Sequence, residues 1–114
     1  MDKSPQLINV LKLLQLREDI GEDAYHTTLQ LFKEESFERL DKIWNAFEAY
    51  NHGVIKQEAH ALKSTSALLG AEQLFQLVVQ IEQYKNVSIP KLLLDKLSFI
   101  HEATCAELEK IVFH

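Results

Sequence analysis

Cysteine occurs once in this chain, at Cys105, so no internal disulfide can form, which suits a reducing cytoplasm. Glycine is almost as scarce. Gly21, Gly53 and Gly70 are too few and too far apart for a phosphate-cradling loop, and neither a G-x-x-x-x-G-K-[ST] run nor a dinucleotide fingerprint is present. Positive charge is the minority sign. The 12 Lys and Arg against 17 Asp and Glu leave a formal net charge of -5, which argues against general nucleic-acid binding. No uninterrupted apolar stretch approaches membrane-spanning length. The first residues, M-D-K-S-P-Q-L, lack the basic region and apolar run of a signal peptide. These absences point to a soluble, cytoplasmic protein that neither spans a membrane nor binds nucleotide on its own.

What is present is helical periodicity. At 114 residues the chain is a single domain, 1–114, with room for one helical core. Pro5 suits a first helical turn, and Leu7, Leu11 and Leu14 predict a short amphipathic helix that Gly21 ends. From Glu22, the three-four spacing of Tyr25, Leu29, Phe32, Ser36, Leu40, Ile43, Phe47 and Tyr50 predicts a long helix, with Asn51-His52-Gly53 as its stop. A third helix carries Ile55, Ala59, Leu62, Ser66 and Leu69 on one stripe. Gly70 separates it from a helix bearing Leu74, Leu77, Val78 and Ile81, so these two form an antiparallel hairpin. After Ser88 and Pro90, a last helix runs through Leu93, Leu97, Ile100, Thr104, Leu108 and Ile111. The fold class is all-α: an antiparallel four-helix bundle over about residues 22–113, with an additional short N-terminal helix packed over one end. No strand-like alternation competes with it.

The third helix carries the chemistry. At about 100° per residue, His60 lies roughly 140° from the centre of the apolar stripe, so its imidazole faces water. Lys56, Lys63 and Ala67 fall near it on the wheel, with Gln57 and Ser64 a little further round. The two lysines frame an anion held on the ring, and the small Ser64 and Ala67 leave a partner room to approach. Imidazole is a nucleophile near neutral pH and forms covalent intermediates, while a lysine ammonium serves phosphoryl oxygens as a point charge. An acceptor nucleophile without a nucleotide cradle describes a phosphoryl carrier rather than a kinase.

The run His60–Ala71, H-A-L-K-S-T-S-A-L-L-G-A, resembles the signature of the histidine phosphotransfer (HPt) domain, approximately H-x-L-K-G-S-S-x-x-L-G-A followed by a helix ending near L-E. The matching positions are His60, Leu62, Lys63, Ser66, Leu69, Gly70 and Ala71, then Leu74 and Ile81-Glu82. Two positions depart from the pattern: Ser64 stands where glycine is usual, and Thr65 where serine is common. The resemblance implies that His60 accepts a phosphoryl group from a receiver-domain aspartate and passes it to another receiver. The implied partners are the receiver domains of a hybrid sensor kinase and of a response regulator. It implies no resident cofactor, because the receiver supplies the metal ion, and a monomeric carrier rather than a self-sufficient enzyme. It also assigns Glu82 as the residue that hydrogen-bonds the ring nitrogen left unphosphorylated, with Gln83 in reserve. From Met1 to the last helix the chain has the span of a freestanding relay protein, although a module cut from a larger kinase would look similar.

Plainer readings stand beside these. A surface histidine near lysines is ordinarily a solvated face, and here only the flanking pattern raises it above that. An alternative function is a helical adaptor that is never phosphorylated and binds a kinase or receiver to inhibit it. A metal-dependent helical enzyme is a third class. Bundles hold di-iron sites through Glu-x-x-His pairs, but Asp23, Ala49, Gln57, Ser98 and Ile111 precede the five histidines by three, so no metal ligands are assigned. His26, His52, His101 and His114 read as surface or boundary residues, and Cys105, with no base beside it, as a small helix residue. Phe37 and Trp44 lie off the main stripe and most simply widen a core face, with a place in a docking surface as the other reading. Phe75 and Val79 share the Glu82 side of their helix, where they either offer a receiver an apolar contact or pack on a neighbouring helix.

Overall fold

The computed structural model describes residues 4–111. His114 therefore lies outside the described residues. Five helices follow in order: α1 (Val10–Ile20), α2 (Glu22–Glu48), α3 (His52–Leu68), α4 (Glu72–Glu82) and α5 (Lys91–Lys110), with no strand among the described residues. Helices α2–α5 form an antiparallel four-helix bundle. Its most extensive packing is between α3 and its neighbours α4 and α2, while α5 closes onto α4 and α2, and α1 lies against α2 and α3. None of the helices is long and apolar enough to cross a membrane.

The stripe read on α3 is the centre of the core: Ile55, Ala59, Leu62, Ser66 and Leu69 are all buried. Ser66 is tolerated there because its hydroxyl donates to the Leu62 carbonyl at 2.7 Å. On α4, Leu74, Leu77, Val78 and Ile81 face inward as the spacing requires.

Helix ends depart from the sequence reading in instructive ways. Gly53 does not stop α2. The helix ends at Glu48, and Tyr50 takes the left-handed conformation (φ 57°) that glycine usually occupies. Asn51 N–H then donates to the Ala46 carbonyl at 2.7 Å and Tyr50 N–H to the Phe47 carbonyl at 3.1 Å, the paired bonds of a Schellman motif. Tyr50 is thereby turned out to solvent instead of continuing the core stripe. Asn51 serves the next helix, its Oδ1 accepting from Val54 N–H at 3.4 Å, so His52 and Gly53 open α3.

The turn from α3 to α4 repeats the motif with glycine in the special position. Gly70 has φ 69°, and Ala71 N–H reaches the Ser66 carbonyl at 2.9 Å. A Cβ on Gly70 would also lie 2.9 Å from the Asn9 carbonyl oxygen. Glycine is needed twice over, for the backbone angle and for the close approach of the N-terminal segment.

That segment corrects the expectation for the first helix. Pro5 is not in a helical turn, because Asn9 caps α1 through Lys12 N–H and the preceding residues are bound to the α3–α4 turn. Glu72 accepts from Gln6 N–H and from Asn9 Nδ2, each at 3.0 Å, and Gln73 N–H donates to the Gln6 carbonyl at 3.1 Å. The backbone hydrogen bond from Gln6 and then the Asn9 amide hold the Glu72 carboxyl below its ordinary pKa. With the start shifted to Val10, Leu13 and Leu16 face inward, and Leu11 is exposed.

The inward face of α5 is likewise rotated from the expected one. Leu94 and His101 join Leu93, Leu97, Thr104 and Leu108 inside, while Ile100 and Ile111 are half-buried. His101 is thus a core residue and not a surface one. Its Nε2 lies 2.7 Å from Ser36 Oγ on α2 and 3.5 Å from Cys105 Sγ, so Cys105 does have a base beside it. Burial lowers the His101 pKa and raises that of the Cys105 thiol, which leaves both neutral near pH 7. Trp44 packs against the core and donates Nε1–H to Ser98 Oγ at 2.8 Å, but Phe37 is exposed and widens no core face.

Candidate functional site

His60 sits at the middle of α3 with a side chain 66% exposed, as its wheel position requires. The site is assembled across the α3–α4 pair. Burial of the Leu74, Leu77, Val78 and Ile81 face fixes the rotation of α4, and Glu82, next to Ile81 in the last turn, is brought to the seam with α3. Its Oε2 lies 3.0 Å from His60 Nδ1, and its Oε1 accepts from the Lys63 ammonium at 3.2 Å. One carboxylate therefore holds both the ring and the lysine one turn beyond it.

This arrangement selects a tautomer. A carboxylate can only accept, so Nδ1 carries the proton and the ring's lone pair falls on Nε2. Nε2 receives no hydrogen bond from any described residue. Partial burial tends to raise the Glu82 pKa, but the hydrogen bonds from Lys63 and His60 outweigh it and hold the carboxyl below its ordinary value. Glu82 is thus ionised at neutral pH.

The other residues singled out from the sequence divide. Lys56 does not frame the ring with its charge: its ammonium donates to the Tyr84 carbonyl at 2.6 Å, just beyond the C-terminus of α4. The expected two-lysine frame is in fact one lysine and one carboxylate. Ser64 is exposed, Ala67 half-buried, and both line a groove between α3 and α1 with Lys12, Gln15 and Asp19. Gln57 and the reserve candidate Gln83 are exposed and make no hydrogen bond to the ring. Phe75 and Val79 are half-buried on the Glu82 side of α4.

Two supports of the site escaped the sequence reading. His52 Nδ1 accepts from Ile89 N–H at 3.1 Å, so with Lys56 it ties the segment after α4 back onto α3. Arg39 on α2 pairs with Glu58 on α3 at 2.7 Å and braces the opposite flank of the histidine helix. Neither pairing leaves a sequence signal, because the partners are far apart in the chain and Ile89 takes part only through its backbone N–H. Among the described residues, no group of three or more His, Cys, Asp or Glu is placed to hold a metal ion.

Comparison with known proteins follows the same lines. The family model for the Hpt domain matches residues 27–111. The chain is 32% identical over 77 residues to the phosphorelay protein LuxU of Vibrio vulnificus, in strain YJ016 and in strain CMCP6 alike, covering 68% of this chain and 67% of each relative. Its fold is similar to the crystal structure of histidine-containing phosphotransfer protein B (HptB) from Pseudomonas aeruginosa PAO1. That likeness has a TM-score of 0.81 at 21% identity and covers 94% of this chain and 95% of the other.

Proposed function

From the premise that this chain belongs to the Hpt-domain family and is a histidine phosphotransfer protein of a phosphorelay, we propose that His60 is the residue that carries the phosphoryl group. The observation that supports it is the exposed ring whose Nδ1 is held by Glu82 while Nε2 is open to a partner. The Nε2 lone pair attacks the phosphorus of a receiver aspartyl phosphate. An N–P bond forms as the P–O bond breaks, and the electron pair leaves with the aspartate carboxylate. The proton on Nδ1 stays in its bond to Glu82. Reversal of these steps on a second receiver discharges the carrier.

In this reading the chain holds no metal of its own, and a metal ion held by the receiver would supply the countercharge for the transfer. The partners are receiver domains of a hybrid sensor kinase and of a response regulator, met in the cytoplasm by a monomeric carrier that catalyses nothing alone. Lys63 draws the phosphoryl oxygens, and Ser64 and Ala67 keep the approach along α3 low. A docking receiver covers the α3–α4 face, where Phe75 and Val79 supply apolar contact beside polar groups.

The deciding experiment is His60→Gln. The variant is expected to keep its helical circular dichroism and to take no acid-labile, base-stable label from a phosphorylated receiver. Normal labelling of that variant refutes the assignment.

A further inference from the structure

The His60 ring is pinned from one side only. Glu82 and Lys63 stand on the flank of α3 that meets α4, and Nδ1 points at that flank, 3.0 Å from Glu82 Oε2. The two nitrogens of an imidazole look out from nearly opposite edges of the ring. Nε2 is therefore turned toward the other flank of the helix, the one that borders α1. On the wheel Ser64 lies on that flank, about 40° round from His60, whereas Lys63 lies about 60° round the other way.

Side chains on a helix lean toward its N-terminus, so Ser64 covers the turn that carries His60, with about 5–6 Å between the two Cβ atoms. Gln57, on the same flank, leans away from the ring by the same rule. Three hydroxyls stand on α3, and two are already engaged: Thr65 Oγ1 and Ser66 Oγ both donate to the Leu62 carbonyl, at 3.3 and 2.7 Å. Ser64 is exposed, and its hydroxyl makes no hydrogen bond to any described residue. It is a donor beside the reacting nitrogen with nothing yet to bind. The glycine usual at this place in the motif would offer none.

Resting on the reading of His60 as the phosphoryl acceptor, we propose that the Ser64 hydroxyl donates a hydrogen bond to an oxygen of the phosphoryl group on Nε2. The loaded group is then held between two unlike donors, the Lys63 ammonium from the α4 side and the Ser64 hydroxyl from the α1 side. The ammonium supplies charge, and the hydroxyl supplies direction. A donor that finds its acceptor only once the group has arrived favours the loaded carrier over the empty one. Ser64 thus draws the phosphoryl balance between a receiver and this chain toward His60.

Few other charges bear on that side of the ring. Lys12 and Asp19 face Ser64 across the groove from α1, where Asp19 accepts from the Gln15 amide at 2.8 Å. On α3 itself, Lys56 is bound to the Tyr84 carbonyl and Glu58 to Arg39 of α2.

The test uses the whole chain phosphorylated chemically with phosphoramidate, with His60→Gln identifying the signal of residue 60. Phosphorus NMR then follows the titration of that phosphohistidine across a pH series. A hydrogen bond to the fully ionised phosphoryl group favours that form, so loss of the donor raises the pH at which the last proton leaves. Ser64→Ala is expected to raise it by about half a pH unit and Ser64→Gly to raise it equally, with circular dichroism showing both folded. A residue that mattered only by its size would leave the Ser64→Ala titration in place. A titration unmoved by Ser64→Ala, or moved by Ser64→Gly alone, therefore overturns the proposal while the reading of His60 stands. Failure to form phosphohistidine at residue 60 overturns that reading and this proposal with it.

Discussion

The bond between His60 Nδ1 and Glu82 Oε2, 3.0 Å long, joins the middle of one helix to the last turn of the next. The orientation of the ring is thus set by packing elsewhere, since any slip of α4 along α3 moves the carboxylate with it. What keeps α4 in register is a buried apolar face below the bond and the Lys56 and His52 contacts beyond its end.

Lys63 bears on the rate of transfer and not on its possibility. Lys63→Ala removes a point charge near the incoming phosphoryl oxygens but leaves the nucleophile and its tautomer intact. Transfer from a phosphorylated receiver is expected to slow by roughly tenfold, about the effect of 1.4 kcal/mol on the barrier. Rapid-quench measurement of labelling checks it, and an unchanged rate removes the electrostatic role.

Backbone strain gives opposite outcomes at the two Schellman turns. Gly70→Ala forces a side chain into a left-handed angle with the Asn9 carbonyl oxygen 2.9 Å from its Cβ, and is expected to lower stability by about 1–3 kcal/mol. Tyr50 already carries a side chain at φ 57° and is exposed, so Tyr50→Gly is expected to stabilise the fold by about 1 kcal/mol. Urea unfolding of the two variants measures both.

His101 gives the fold a sensitivity to mild acid. Burial lowers its pKa in the folded state, with Glu102 partly opposing the shift. The unfolded chain therefore binds the proton first, from about pH 6.5 downward. The stability tied to the neutral ring is complete above that pH and is lost as pH falls toward the lowered folded value. The groups around it are Ser36, Lys33 and Asp41 from α2 and Cys105 and Glu102 from α5. His101→Leu is expected to flatten the decline in urea midpoint between neutral and mildly acidic pH, and an equally steep decline in the variant rules His101 out as its source.

The sequence carried most of the site because the site lies on regular helix. A residue's angle on α3 follows from spacing alone, so the exposure of His60 and the burial of Ile55, Leu62 and Ser66 were legible, and the motif resemblance pointed to Glu82. Lys56 was misread because a long flexible side chain does not end where its Cα points, and a carbonyl past α4 draws it away. His101 was misread for another reason. Its type suggested a surface although Leu94, Leu97, His101, Thr104 and Leu108 keep a clean three-four spacing, and the hydrogen bond to Ser36, 65 residues away in the chain, helps to make its burial tolerable. Tyr50 followed the core spacing one step too far, since nothing local marks a tyrosine as the residue that will adopt a glycine-like angle.

The clasp of Gln6 and Asn9 on Glu72 spans 66 and 63 residues of chain. On the ribosome, Gln6 and Asn9 are made well before the α3–α4 turn that holds them. Helices α2 and α3, by contrast, have partners close at hand as they emerge. The order of synthesis and the order of docking therefore run opposite ways for this clasp: Gln6 and Asn9 wait for their partner, and contacts of such long sequence separation are expected to close late in folding.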